Sequence, residues 1–352
     1  MKGLVLSGGF GTRLRPLTYS QQKQLIPVAN KPILFYGIED LIEAGIHDIG
    51  IIVGPNKQQV IETVKAVQWD AQITFIEQET PLGIAHTIKI ARSFLDDDSF
   101  IMYLGDNILK EGVSEHVHAF EHSNYEGSVL LTKVENPSDF GIAVLDKKND
   151  IVKVIEKPQN PPSPYAVIGV YLFRSKIFDA VNEIKLSQRN QLEITDAIQW
   201  LIDHGYKVKS AFVKNWWKDT GKPEDILHAN RLILDDITGY DKGKLVDSEI
   251  RGRVQISKET MIEKNSIVKG PAIIGEHCHI SGSYIGPYKS IGNHCEIIGT
   301  EIEDSVLLDG VSIIDGGRII DSLIGRGVRI EKNGSLPKGR RFVIGDNSEV
   351  RI

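Results

Sequence analysis

Isoleucine recurs every six residues late in this chain: Ile267, Ile273, Ile285, Ile291 and Ile297 share one grid, with His279 in the skipped place. Gly275, Gly286, Gly292, Gly299 and Gly325 follow apolar residues in the same rhythm. A hexapeptide period indicates a parallel β-helix, whose apolar residues point into a prism and stack coil on coil. On this grid His279 takes an interior place and is expected to be a buried, satisfied histidine. The pattern is imperfect around 299–318, which leaves the number of coils open. The alternative is an ordinary small β domain.

Residues 1 to about 234 have a different texture. Strand-like runs at Gly3–Leu6, Ile49–Val53, Ile73–Ile76 and Phe100–Leu104 alternate with helical patterns at Ile33–Ala44, Gln58–Val67 and Ile84–Leu95. Alternation predicts a mainly parallel sheet with helices on both faces, and ligands of such sheets bind beyond the carboxyl ends of strands. From Ser128 the order changes. Ser128–Lys133, Gly141–Leu145, Ile151–Ile155 and Ala166–Phe173 read as mixed or antiparallel strands that complete the pocket. Helices are expected at Glu193–Asp203 and Pro223–Leu234, the second opened by a proline suited to a first helical position. The polar, helix-breaking stretch 235–244 reads as a linker. The expected division is an α/β domain over 1–236, a linker over 237–245 and the β-helix over 246–352.

The first strand leads directly into Ser7-Gly8-Gly9-Phe10-Gly11-Thr12-Arg13-Leu14-Arg15-Pro16. Three glycines let the backbone turn sharply and lie against a ligand, and successive N–H groups in such a loop can cradle phosphate. Arg13 adds a forked, fixed charge, and Lys23 supplies a second cation. A Walker A loop is excluded, because no Gly-Lys-Ser/Thr closes a four-residue gap. The dinucleotide fingerprint is excluded as well, because Leu14 stands where its third glycine belongs. The formal net charge is −6, so nothing global favours nucleic acid or an anionic membrane. A substrate phosphate must therefore meet local cations, for which Arg13, Lys23 and Lys157 are candidates.

The loop resembles the G-x-G-T-R-L-x-P-x-T…K-x-L-x-P motif of the sugar-1-phosphate nucleotidylyltransferases. The resemblance covers nearly the whole first domain and is nearest to the long form that carries a left-handed parallel β-helix. It implies a Rossmann-like nucleotidyltransferase domain with a mixed central sheet. It also implies Mg²⁺-dependent transfer of a nucleotidyl group to a sugar 1-phosphate, with dTTP and glucose 1-phosphate as substrates and UTP as the alternative. By the same resemblance Gly8, Gly9, Gly11 and Thr12 hold the triphosphate, while Arg13, Lys23 and Lys157 neutralise charge. Asp106 and Asp219 hold the metal. Gln78 and Gly83 contact the base, and a side-chain amide offers both the donor and the acceptor that a pyrimidine edge needs. Gly141, Glu156, Val167, Gly169 and Arg189 line the sugar-phosphate side, and Leu104, Asn107 and Trp217, beside the two aspartates, also bind substrate. Read without the resemblance, Asp106 and Asp219 are turn caps, Val167 is core, and Arg189 with Glu193 is a solvated helix pair.

The β-helix has three possible tasks: assembling subunits, with a trimer as first expectation, transferring acyl groups from coenzyme A, or sensing a ligand. His277, His279 and His294 are the candidate bases for acyl transfer. His277-Cys278-His279 and His294-Cys295 stand close to one coil of about 18 residues apart, which raises a metal site. Cys278 and Cys295, the two cysteines of the chain, fall on different phases of the grid, and no C-x-x-C pair supports zinc. Small buried thiols are the expectation. Two cysteines, a first strand at the N-terminus and the lack of a long apolar stretch make a cytoplasmic location the expectation. A sensor without catalysis remains the contrasting reading of the whole chain.

Overall fold

The computed structural model describes residues 1–332, 348 and 350. The rest of the segment expected to close the β-helix, through 352, lies outside the described residues. The chain divides into two compact units. The first comprises Met1–Phe10, Gln21–Leu25 and Ile33–Asp219; the second comprises Gly11–Ser20, Ile26–Pro32 and the chain from Thr220 onward.

In the first unit, strands Gln72–Glu77, Asp48–Val53, Lys2–Ser7 and Phe100–Leu104 lie side by side and parallel. The inner three read as near-continuous apolar runs because both their faces are covered, whereas the edge strand Gln72–Glu77 is half-buried with exposed ends. Leu4 and Leu6 enter one core with Met102, while Val5 enters the other with Ile101 and Tyr103. Helix Ile33–Glu43 presents Leu34, Ile38 and Leu41 to the second of these cores, at the spacing of one helical face. The long strand Tyr165–Phe173 then pairs antiparallel with Phe100–Leu104 and with Gly127–Lys133. Gly127–Lys133 in turn takes Val208–Phe212 in parallel. Ile142–Leu145 and Ile151–Ile155 form an antiparallel pair that joins through Ala166. The sheet is mixed, as expected.

Three details differ from the sequence reading. The helix expected over Ile84–Leu95 is two pieces, Ile84–Ile90 and Arg92–Leu95, because Ala91 leaves helical geometry. Helices Ser114–Glu121 and Ile177–Glu183 are too short to write a periodic signal into the sequence. Strand Val208–Phe212 is equally short.

The second unit stacks parallel coils. One sheet runs through Tyr240–Asp241, Val254–Ile256, Ala272–Ile274, Lys289–Ile291, Val306–Leu307 and Leu323–Ile324. A second runs through Lys244–Leu245, Met261–Glu263, His279–Ser281 and the start of Glu296–Glu303. A third runs through Glu249–Arg251, Ile267–Lys269, Tyr284–Ile285 and the end of Glu296–Glu303. These are the three faces of a prism, in keeping with a left-handed β-helix. The first strands fall inside the stretch read as linker, because a strand on a polar, exposed end coil carries no apolar signature.

The interior positions correct the grid. Ile256, Ile262, Val268, Ile274, Ile280, Ile285, Ile291 and Ile297 are all fully buried. The step from Ile280 to Ile285 is one residue short of six, so the grid drawn from the later isoleucines lies one place off before it. His279 is therefore not interior. Its Nε2 faces outward to Glu263 Oε1 at 3.1 Å, and its side chain is 40% exposed. The same shortening brings the two cysteines into one phase, since His279 pairs with Glu296 in the next coil. Both thiols are buried and free in the prism core, as expected.

Candidate active site

Lys23 and Asp106 meet in the first unit. Lys23 opens a single 3-10 turn, Lys23–Leu25, and Asp106 follows the carboxyl end of Phe100–Leu104. Their side chains form an ion pair and are only 13% and 17% exposed. Burial pushes the Asp106 carboxyl up; the Lys23 ammonium and the Asn107 amide more than offset this and hold it below its ordinary value.

Asn107 is the junction of the site. Its Nδ2 donates to Asp106 Oδ1 at 2.9 Å, and its Oδ1 accepts from Trp217 Nε1 at 2.5 Å. The short strands Asn107–Leu109 and Trp217–Asp219 pair antiparallel, which sets Asp219 directly opposite Asn107. Asp219 thus lies in the ribbon and Asp106 immediately precedes it, though the two are far apart in sequence. Gly169 packs against the same asparagine, at a bulge in Tyr165–Phe173. A Cβ there would stand 3.0 Å from the Asn107 side chain and from Leu104 Cδ1. Among the described residues no group of three or more His, Cys, Asp or Glu side chains could hold a metal ion. A pair of carboxylates remains the donor set suited to Mg²⁺, which binds through one or two protein carboxylates and completes its shell with phosphate and water.

A second group surrounds Glu156. Its Oε2 accepts from Thr195 Oγ1 at 3.1 Å, and its Oε1 accepts from Arg189 at 2.7 Å. Arg189 also pairs with Glu193 at 2.9 Å. The bland reading of Arg189 and Glu193 as a helix pair does not describe this arrangement, because Arg189 precedes the helix Ile194–Asp203 and bridges two carboxylates. Val167 N–H donates to the Gly141 carbonyl at 2.8 Å, joining those two positions. Lys157 is exposed, and its N–H donates to the Phe140 carbonyl at 3.1 Å. Phe140 packs edge-on against Trp217 with ring centroids 5.8 Å apart, so this group continues into the aspartate ribbon.

Gln78 is buried beside the glycine loop. Its Nε2 donates to the Gly83 carbonyl at 3.4 Å and meets His86 Nδ1 at 3.1 Å. Its Oε1 stands over Gly8, 3.2 Å from where a Cβ would be. Gly83 adopts φ +103 against the Leu192 backbone, a conformation and a closeness that only glycine tolerates. Leu192 bonds Leu82 and Ala85 through its backbone, so the Gly83 loop and the Arg189 loop hold one another. Gly8 and Gly9 belong to this unit. Gly11, Thr12 and Arg13 belong to the second, where Gly11 caps a short 3-10 turn, its carbonyl accepts from Thr18 Oγ1 at 2.7 Å, and Arg13 is exposed.

Phe140 and Thr195 join the site without any mark in the local sequence. Their signal is spatial: each meets a motif residue distant in sequence.

The nucleotidyl transferase family matches residues 2–236. Over the full length, the chain is 46% identical to the low-salt glycan biosynthesis nucleotidyltransferase Agl11 of Haloferax volcanii, with all of both chains covered. It is 45% identical to a glucose-1-phosphate thymidylyltransferase of Streptomyces antibioticus, across all of this chain and 99% of that one. A solved Bacillus anthracis structure assigned to glucose-1-phosphate thymidylyltransferase is 33% identical, with a TM-score of 0.62, over 68% of this chain and 98% of its own. The motif loop, the paired aspartates and these full-length matches agree: the chain belongs to the nucleotidyl transferase family.

Proposed function

We propose that this enzyme transfers the thymidylyl group of dTTP to α-D-glucose 1-phosphate, giving dTDP-glucose and pyrophosphate, as a supplier of deoxysugar synthesis. A phosphate oxygen of the sugar phosphate attacks the α-phosphorus, and the bond to the β-phosphate oxygen breaks. The protein's work is positioning and charge neutralisation, since no covalent enzyme intermediate is needed. The observation that carries the reading is the ribbon that joins Lys23, Asp106, Asn107, Trp217 and Asp219. Asp106 and Asp219 would hold Mg²⁺, which supplies charge stabilisation at the phosphates when bound.

Lys23 and Lys157 meet phosphate charge, and the backbone of Gly8, Gly9, Gly11 and Thr12 holds the triphosphate. The role of Arg13 rests on the motif. Gln78 and Gly83 take the base; Gly141, Glu156, Val167, Gly169 and Arg189 take the sugar phosphate, with Leu104 beside them. Residues 1–236 carry the reaction, and the coils that begin at Tyr240 assemble subunits, as a trimer in the simplest case. No helix among the described residues is long and apolar enough to cross a membrane, which fits a cytoplasmic enzyme.

Base choice rests on a single methyl group, which in an apolar pocket is worth only about 1–3 kcal/mol of discrimination. Pyrophosphate release with glucose 1-phosphate and Mg²⁺ tests the reading, with dTTP and UTP compared side by side. Faster release with dTTP is expected. Equal or faster release with UTP moves the protein to uridylyl transfer, and no release with either overturns the enzymatic reading.

A further inference from the structure

Gln22, the residue before Lys23, is buried and has no part in the roles above. Its Nε2 donates to the carbonyls of Ser7 at 3.0 Å and Gly9 at 2.8 Å, and also meets Gln24 Oε1 at 2.8 Å. Its Oε1 accepts from Asn56 Nδ2 at 3.3 Å, and its backbone N–H donates to Gln59 Oε1 at 3.0 Å. Backbone carbonyls only accept, so these partners fix which end of the amide carries the hydrogens.

We infer that Gln22 is a positioning residue, whose amide aims the N–H groups of the glycine loop at the substrate's triphosphate. The inference rests on the nucleotidyl-transfer reading above. In a trans peptide the C=O and the following N–H point in opposite directions. The Ser7 carbonyl shares its peptide with the Gly8 N–H, and the Gly9 carbonyl shares its peptide with the Phe10 N–H. By drawing both carbonyls to one side, Gln22 turns both N–H groups to the other. Two N–H groups facing one way make an anion cradle. Gly8 and Gly9 have no side chains to hold these peptides, so left alone the loop would sample both orientations. The Gln22 side chain removes that freedom before substrate arrives, which lowers the ordering cost of binding.

Two variants test this through initial rates of pyrophosphate release. Gln22→Met keeps the length and removes both donors. Losing one aimed, charge-assisted hydrogen bond predicts a triphosphate KM raised roughly tenfold or more. The sugar-phosphate KM should stay at the wild-type value. Gln22→Glu sets an acceptor-only carboxylate against two carbonyls at pH 8 and recovers one O–H donor when protonated. Its triphosphate KM should therefore fall, relative to wild type, as pH drops from 8 to 6. A folded Gln22→Met variant with wild-type triphosphate KM overturns the inference. So does a Gln22→Glu variant whose KM follows the wild-type pH profile, and that arm decides if the methionine variant fails to fold. If wild type releases no pyrophosphate, the functional reading fails by itself. Calorimetric binding of inorganic tripolyphosphate to wild type and Gln22→Met then tests the cradle: weaker binding by the variant supports it, and equal binding overturns it.

Discussion

At Gly169 the backbone takes φ +58 within a strand buried from Ala166 to Phe173, and it does so against Asn107. Asn107 in turn orients Asp106 and Trp217. Gly169→Ala adds two penalties. The left-handed backbone conformation costs about 1–2 kcal/mol for a residue with a Cβ. The new methyl also presses on the Asn107 amide. The expected result is a modest fall in melting temperature and a loss of turnover of roughly tenfold to a hundredfold, as small displacements of catalytic groups produce. Thermal unfolding and steady-state rates on the same preparation check it. A variant that loses stability but keeps its turnover would show that Asn107 does not need to be held still. This position also shows how far the sequence speaks at residue scale. Gly169 was placed in the site by family resemblance, but its physical task, making room for an amide from another strand, is a contact between distant residues that no local pattern encodes.

At the scale of elements, Lys289 is the anomaly of the coils. It lies on the strand Lys289–Ile291, fully buried, with its Nζ 3.4 Å from the Pro287 carbonyl. Burial lowers its pKa from 10.5 to about 7, against the opposing pull of Glu303 and Asp304. Between about 7 and 10.5 the unfolded chain holds more protons than the folded one, so stability rises with pH across that window and is lowest below about 7. Lys289→Met keeps the volume and removes the ammonium. At pH 6 it is expected to stabilise the coils by about 1–4 kcal/mol, and the gain should shrink toward pH 10. Denaturant unfolding at pH 6, 8 and 10 checks this, and a methionine variant less stable at pH 6 would contradict it. The strand that holds Lys289 also shows why the β-helix was legible as a class but not in register. Six-residue spacing of isoleucine announces stacked coils. Which residue of each hexad points inward depends on corner length, and the short corner between Ile280 and Ile285 shifts the phase without altering composition. The inner parallel strands of the first unit were legible nearly to the residue, because burial on both faces writes itself into the chain as unbroken apolar runs.

At the scale of the whole molecule, the second unit is assembled from pieces that sequence order separates. Helix Pro223–Leu234 buries Leu227 against Val306 and Leu308. Its Asn230 Oδ1 accepts from the Ala29 N–H at 2.9 Å and from Ser290 Oγ at 2.6 Å. Its Arg231 pairs with Asp304 and with Asp321, the latter at 2.8 Å. Asn30 Nδ2 donates to the Ile291 carbonyl at 2.6 Å, and Leu17 lies against Gly325. The segments 11–20 and 26–32 thus depend on the coils for their packing, and the first of them carries Thr12 and Arg13. A boundary drawn at 236 from composition could not show this, because the dependence runs through side chains some 260 positions apart in sequence. The Bacillus anthracis structure, matched over 98% of its length by 68% of this chain, shows that a shorter protein can hold the family fold. In the present chain, ending at residue 236 would strip Asn30, Asn230 and Arg231 of their coil partners and uncover Leu227. Asn230 is fully buried and would lose Ser290 and the Tyr288 carbonyl, and a buried polar group that loses its partner costs about 1–3 kcal/mol. The truncated chain is therefore expected to keep the circular-dichroism signature of its central sheet. Its backbone amides in 11–20 and 26–32 should exchange with solvent far faster, and pyrophosphate release should fall at least tenfold, because Thr12 and Arg13 lie in the first of these segments. Hydrogen-exchange mass spectrometry beside the activity assay reads both outcomes. Unchanged protection in those two segments would mean that they hold their conformation without the coils, and the β-helix would then be left with assembly as its task.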